Sequence, residues 1–280
     1  MKKSLTLGLL LFLASSVVFP REVVDNARFR ATYQFSFKTS PEQTEFAGTD
    51  LMILDIGTRM SKFYSRNYLR RDSILTTGVA RGVPEHEILD QIRQYRRAVN
   101  TILYSFWEEN IFHNTRHFVT AYHFYREPRA RPNWRISGET KEIGGYTAVR
   151  ASAYYLGRNW TVYFAPEIPI NLGPWKLWGL PGLILEAADE DGFFSFRFRA
   201  FEVVTNNIPI VHITATGSGA RHREVNKEAF RRMHRMVYAD PMTLVRSMVT
   251  VAGQLTPEQE ANNQRFVAAG GTPFIPLEPW

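Results

Sequence analysis

The chain has 280 residues, 44% of them hydrophobic, enough to bury a full core and to read as one domain with a helical appendage. Lys and Arg number 34 against 27 Asp and Glu, a formal charge of +7. The absence of cysteine excludes a disulfide framework, a thiolate catalyst and a lipidated N-terminal Cys.

Residues 1–20 read as a secretory signal peptide: Lys2 and Lys3, an apolar run from Leu5 to Leu13, then the small residues Ala14, Ser15 and Ser16. The run is too short to cross a hydrocarbon core of about 30 Å. Loss of the two lysines with the leader would take the charge from +7 to +5. The expected location is exported, in the periplasm or outer envelope, soluble or peripheral, and not as a lipoprotein. Export argues against nucleic acid as the partner of a basic surface.

Residues 28–38 alternate apolar and polar side chains, the period of a strand with one buried face. Strands are also expected at 49–56 and 59–65. Residues 84–100 carry acids early, arginines late, and Ile88, Ile92, Tyr95 and Val99 at helical spacing. That pattern predicts one internal amphipathic helix aligned with its macrodipole. Aromatic alternation returns at 101–107, 116–125 and 134–136, with a charged, proline-bearing loop at 126–132. A dense β region follows at 139–143, 146–156, 159–164, 182–188, 193–203 and 209–216, with turns at Gly144-Gly145, Gly157, Asp191-Gly192 and Asn206-Asn207. Beyond Gly219 the pattern turns helical. Asn226 or its predecessor is a cap, Asp240-Pro241 opens 241–252, and Thr256-Pro257 opens another helix.

The expected fold is α+β: a curled antiparallel sheet, a half-barrel-like meander, with one internal helix and a C-terminal helical segment. The divisions are a signal at 1–20, a β-rich domain at 21–219, a helical segment at 220–270 packed on the sheet, and an extended tail at 271–280.

The segment Gly173-Pro-Trp-Lys-Leu-Trp-Gly-Leu-Pro-Gly-Leu-Ile184 combines three glycines and two prolines with six large apolar residues. Pro174 and Pro181 remove donors and fix φ, while Gly173, Gly179 and Gly182 allow unusual backbone. It reads as a locked, packed turn in which Leu180, Leu183 and Ile184 anchor the chain. Either it closes one end of a β core, or Trp175 and Trp178 wall a ligand site.

Gly179-Leu-Pro-Gly-Leu-Ile184 resembles the signature of the GLPGLI family, exported proteins of unknown biochemical function found mostly in Bacteroidetes. The likeness extends through Ile143-Gly-Gly-Tyr146, Arg150-Ala151, Gly157-Arg158-Asn-Trp160, Phe164-Ala-Pro-Glu-Ile-Pro169 and Asp189 to Phe196. Near the N-terminus, Tyr33-Gln-Phe, Asp50-Leu51 and Ser61-Lys-Phe-Tyr-Ser65…Asp72-Ser73 look like the family's opening strands. It covers roughly residues 28–205. Members often carry Cys two residues after the Tyr146 position; Ala148 stands here, and no thiol role transfers. The resemblance implies export and a β-rich fold, and almost no chemistry.

His113 and His117 are four apart, but their surroundings read as strand, and no metal site or cofactor is expected. No G-x-S-x-G or phosphate loop is present. Paired acids occur at Glu108-Glu109 and at 189–191, neither set against a base and a cleft, so the chain reads as a non-enzyme. Arg158 and Trp160 are read as a cationic and aromatic rim for an acidic or amphipathic ligand, or as loop supports through backbone carbonyls or Glu167. Six cations between Arg221 and Arg235 suggest a solvated face or contact with an anionic membrane surface. Two readings stay open. One is binding of an apolar or amphipathic ligand (a lipid or acylated peptide) by the curled sheet. The other is a structural or accessory protein of an envelope complex with a filled core.

Overall fold

A computed structural model describes residues 23–95, 98–118, 121–212, 221–240, 243 and 257–279. The expected signal at 1–20, nearly all of the helix expected at 241–252, and residues 213–216 lie outside the described residues.

Twelve strands form one sheet: β1 (Val23–Phe37), β2 (Gly48–Ile56), β3 (Met60–Ser65), β4 (Thr101–Phe106), β5 (Ile111–Phe118), β6 (Ala121–Pro128), β7 (Arg135–Ile143), β8 (Tyr146–Tyr155), β9 (Arg158–Ala165), β10 (Leu183–Asp189), β11 (Phe194–Val211) and β12 (Arg221–Glu224). Their order is β12-β6-β5-β4-β3-β2-β1-β11-β10-β9-β8-β7. Two meanders therefore meet where β1 pairs with β11. Among the described residues four helices accompany them: α1 (Arg66–Ala80), α2 (Glu85–Ile92), α3 (Lys227–Ala239) and α4 (Pro257–Ala268).

The topology forces the sheet to curl. Strands β6 and β7 stand ten strand spacings apart in the sheet order, which in a flat sheet is about 48 Å at about 4.8 Å per spacing. Only residues 129–134 join them, and six residues reach about 20 Å at full extension. The connection closes only if the ends of the sheet approach each other. The result is a curled, unclosed sheet with β12 and β7 at its edges.

The turns follow local chemistry. Gly144 and Gly145 both take positive φ between β7 and β8, as a two-residue hairpin turn requires. Gly192 does so between β10 and β11.

Five expectations need correction. There are two internal helices, not one. Ser65 Oγ accepts the Tyr68 amide at 2.9 Å and caps α1, whose many polar residues hide its apolar face; Asp72 and Ser73 lie in this helix. The helix expected at 84–100 ends at Ile92 with a 3-10 turn to Tyr95. The run expected at 116–125 is two strands, β5 and β6, paired as a hairpin. Asn206-Asn207 is no turn: β11 runs through it, and residues 204–207 bulge out of the pairing between Val203↔Phe29 and Ile208↔Ala27. The segment from 220 begins with β12, which pairs parallel to β6, so the sheet is mixed. Four backbone partners on the open β6 edge outweigh the helical preference of so short a run.

The main core fills the inside of the curl. Tyr33, Phe35, Leu54 and Phe63 from one meander join Trp160, Phe164 and Phe196 from the other, with Leu172, Leu177 and Leu180 from the loop between β9 and β10. Helix α3 covers the β5–β6 end, its Phe230 set edge-on to Phe118 and Tyr125 at 5.4 and 4.8 Å.

Candidate functional site

Loop 166–182 leaves β9, crosses the inside of the sheet and returns as β10. Its backbone is pinned to itself: Gly179 N–H donates to Asn171 O at 2.9 Å, and Ile184 N–H to Leu172 O at 2.9 Å. Tyr33, fully buried, donates its hydroxyl to Ile184 O at 2.9 Å. Gly179 has φ +95. Gly182 has no positive φ; its reason is space, because a Cβ there would fall on the Ala165 carbonyl and 2.9 Å from Pro166 Cα. Gly173 is held likewise, 2.7 Å from Ile184 Cβ. Pro174 is buried and Pro181 exposed.

Lys176, in the middle of this apolar loop, is only 2% exposed. Its ammonium pairs with Glu127 and, at 2.7 Å, with Glu278. Lys227 reaches the same two carboxylates, Arg231 lies 2.7 Å from Glu278, and Asn114 donates to Glu127 at 2.8 Å. Three cations thus share two part-buried carboxylates and bind the loop to β6, α3 and the tail. Burial raises the Glu278 carboxyl, but Lys176 and Lys227 outweigh it and hold it at about 2.

The four residues expected to form a ligand rim fall elsewhere. Trp160 is 1% exposed and sits in the core. Arg158, also buried, pairs with Asp189 at 3.0 Å and Asp191 at 3.4 Å, and donates to Pro276 O at 2.8 Å and Leu277 O at 3.0 Å. It clamps the C-terminal tail, not the loop through Glu167. Trp175 and Trp178, read from the sequence as possible walls of a ligand site, are both half-buried. Trp175, at φ +55, lies tilted against Trp160 with ring centroids 5.5 Å apart. Trp178 donates to Ala130 O at 3.1 Å and accepts from the Trp134 indole at 2.8 Å. Physically, the β6–β7 connection packs against the loop and takes up its aromatic faces.

What remains open lies on the other side of the loop. A groove of about 600 Å³ is lined by Phe29, Ile56, Trp107, Arg129, Ile170, Leu172, Pro181 and their neighbours. None of the four expected rim residues borders it. The loop itself contributes its Pro169–Leu172 and Pro181-Gly182 segments. Beneath the loop, a void of about 10 Å³ beside Ser61, Ser105 and Arg129 is the size of a single water. The inside of the curl is therefore filled by the loop, while a groove stays open beside it.

Arg129 borders both spaces. It is 7% exposed, and no carboxylate among the described residues pairs with it. Its guanidinium lies 3.8 Å over the Trp178 ring and its Nε has no hydrogen-bond partner among the described residues. Burial pulls its pKa down to about 10, with Tyr155 opposing, so it is charged at neutral pH. A desolvated cation–π contact offsets roughly 2 kcal/mol, against several kcal/mol for burying an ion. The cation is thus short of a counter-charge. Trp107 Nε1 is likewise buried and without a partner among the described residues. Sequence reasoning read Arg129 as part of a charged loop; nothing in Glu127-Pro-Arg-Ala-Arg-Pro132 signals burial.

His113 Nδ1 and His212 Nε2 lie within hydrogen-bond distance, 3.1 Å. Burial, then Arg126, lowers His113 to about 4; burial, then His113, lowers His212 to about 3. His117 packs at a tilt against Tyr122 instead. Among the described residues no group of three His, Asp or Glu side chains could hold a metal ion.

A family model described as a protein of unknown function (Porph_ging) matches residues 156–186, which span β9, the loop and the start of β10. No curated protein matches the chain. Two solved structures, of PNGF-II in P21 and C2 space groups, align at TM-scores of 0.49 and 0.47 with 12% identity. They cover 74% and 73% of this chain and 32% of theirs. This chain therefore spans about a third of the length of either. No helix among the described residues is long and apolar enough to cross a membrane.

Proposed function

We propose that this chain is an exported, non-enzymatic binding protein of the cell envelope, related to the GLPGLI family, and that its loop groove holds an amphipathic ligand. The observation that carries the reading is the groove itself. At about 600 Å³ it falls within the usual 300–1,000 Å³ of small-molecule sites, with mostly apolar walls and few polar groups. The family match supports a shared role for the loop, since residues 156–186 include its whole length. The fold alone implies no activity.

The structural or accessory reading draws on the other half of the geometry, the filling of the curl by Leu172, Leu177 and Leu180. Peripheral contact with an anionic membrane surface has less to rest on than the sequence suggested. Of the six cations between Arg221 and Arg235, Lys227 and Arg231 turn inward to Glu127 and Glu278.

Native mass spectrometry after mild extraction from the producing cells tests the proposal. An added lipid-sized mass is expected. Ile170→Trp, on the half-buried groove wall, should abolish it while leaving the fold intact. An unliganded mass with no saturable uptake of a hydrophobic probe would leave only the structural reading.

A further inference from the structure

We propose that the groove selects a single-chain amphiphile with a carboxylate head, its head on Arg129 and its chain along Phe29, Ile56, Ile170 and Leu172. This rests on the reading of the groove as a ligand site and adds the chemistry of the ligand.

Arg129 lines the groove, is 7% exposed and pairs with no carboxylate among the described residues. The buried and part-buried acids are already engaged: Glu127 and Glu278 with Lys176 and Lys227, Asp55 with Arg30, and Asp189 with Arg158. Asp50 accepts from the Val99 amide at 2.6 Å and from Asn67 at 2.9 Å. No buried acid of the described residues is left for Arg129, and buried charges are otherwise paired. An anion from outside completes the site.

The donor set narrows the anion. One guanidinium fork matches two coplanar oxygens, as in a carboxylate. Trp107 Nε1, buried and unpartnered among the described residues on the same groove, supplies a further N–H. A phosphate monoester carries about −1.5 to −2 charge at neutral pH, more than one guanidinium neutralises between apolar walls. The walls beyond these donors are Phe29, Ile56, Ile170, Leu172 and Pro181, which suit an alkyl chain.

The test is equilibrium binding to the full exported chain of hexadecanoic acid, its methyl ester and hexadecyl phosphate, near neutral pH. The acid should bind at least tenfold more tightly than the ester. Arg129→Met should lower affinity for the acid at least tenfold and leave the ester unchanged. Trp107→Phe, which keeps a ring in place, should weaken the acid a few-fold, and carries the test if Arg129→Met does not fold. Equal binding of acid and ester, or preference for the phosphate, overturns the carboxylate assignment while the groove stands. If neither acid nor ester binds, the groove reading fails as well.

Discussion

Replacing Glu278 with Gln removes one of the two carboxylates that the buried Lys176 and the half-buried Lys227 and Arg231 share. The local charge rises from one excess cation to two, in a site where Lys176 is 2% exposed. The magnitude follows from how strongly the site favours the ionised form. Glu278 is held at about 2 against an ordinary 4.5, which corresponds to about 3 kcal/mol. Lys176→Met acts in the opposite direction. Both carboxylates keep Lys227, Glu278 keeps Arg231, the cluster becomes neutral, and Met fills most of the stem's volume. That variant should cost about 1 kcal/mol. Urea denaturation of both variants at neutral pH gives the two values directly. Because the folded pKa is depressed, the Glu278 contribution is full above about 4.5 and is lost as pH falls toward 2. The gap between wild type and Glu278→Gln should therefore narrow as pH is lowered from 5 to 3. Equal costs for the two variants, or a gap independent of pH, would refute the shared-carboxylate account.

Arg158→Met removes the only cation paired, among the described residues, with the buried Asp189, which keeps the Phe194 amide, and leaves two tail carbonyls without their donor. It should destabilise by about 3–5 kcal/mol, and native-state proteolysis should then trim the tail from residue 275. Gly182→Ala should cost about 2–3 kcal/mol in thermal melts because its Cβ meets the Ala165 backbone, whereas Gly192→Ala, strained at φ +68 but in open space, should cost about 1 kcal/mol. The His113–His212 pair predicts acid sensitivity. Both folded pKa values, about 4 and about 3, lie below the unfolded value of about 6.5, so the unfolded chain takes up protons first. Stability should be full above about 6.5 and fall as pH drops toward 4, and His212→Gln should flatten that slope in a series of melting temperatures.

Local order was written in the sequence. Period-two alternation marked β1, Gly-Gly and Asp-Gly pairs marked the hairpins on either side of β8 and β10, and Asn226 marked the start of α3, where its side chain accepts the Ala229 amide at 2.7 Å. These signals are local because they rest on backbone sterics and on neighbours within a few residues. The locked character of residues 173–184 was legible for the same reason, since Pro and Gly act on the backbone they occupy. The first helix was not, because among its described side chains only Tyr68 is well buried and its support comes from β2, β3 and α2.

Tertiary structure decided the site. Arg158 and Trp160 read as a rim until the tail carbonyls and the core came from far along the chain to cover them. Lys176 reads as a surface lysine until Glu127 and Glu278, distant in sequence, close around it. Arg129 lies in a stretch whose composition says solvent. It is buried because six residues must bridge β6 to β7, and the sheet can meet that length only by curling and drawing the connection against the loop. Burial of a charge is set by what packs over it, and the residues that pack over these charges are not their neighbours in sequence.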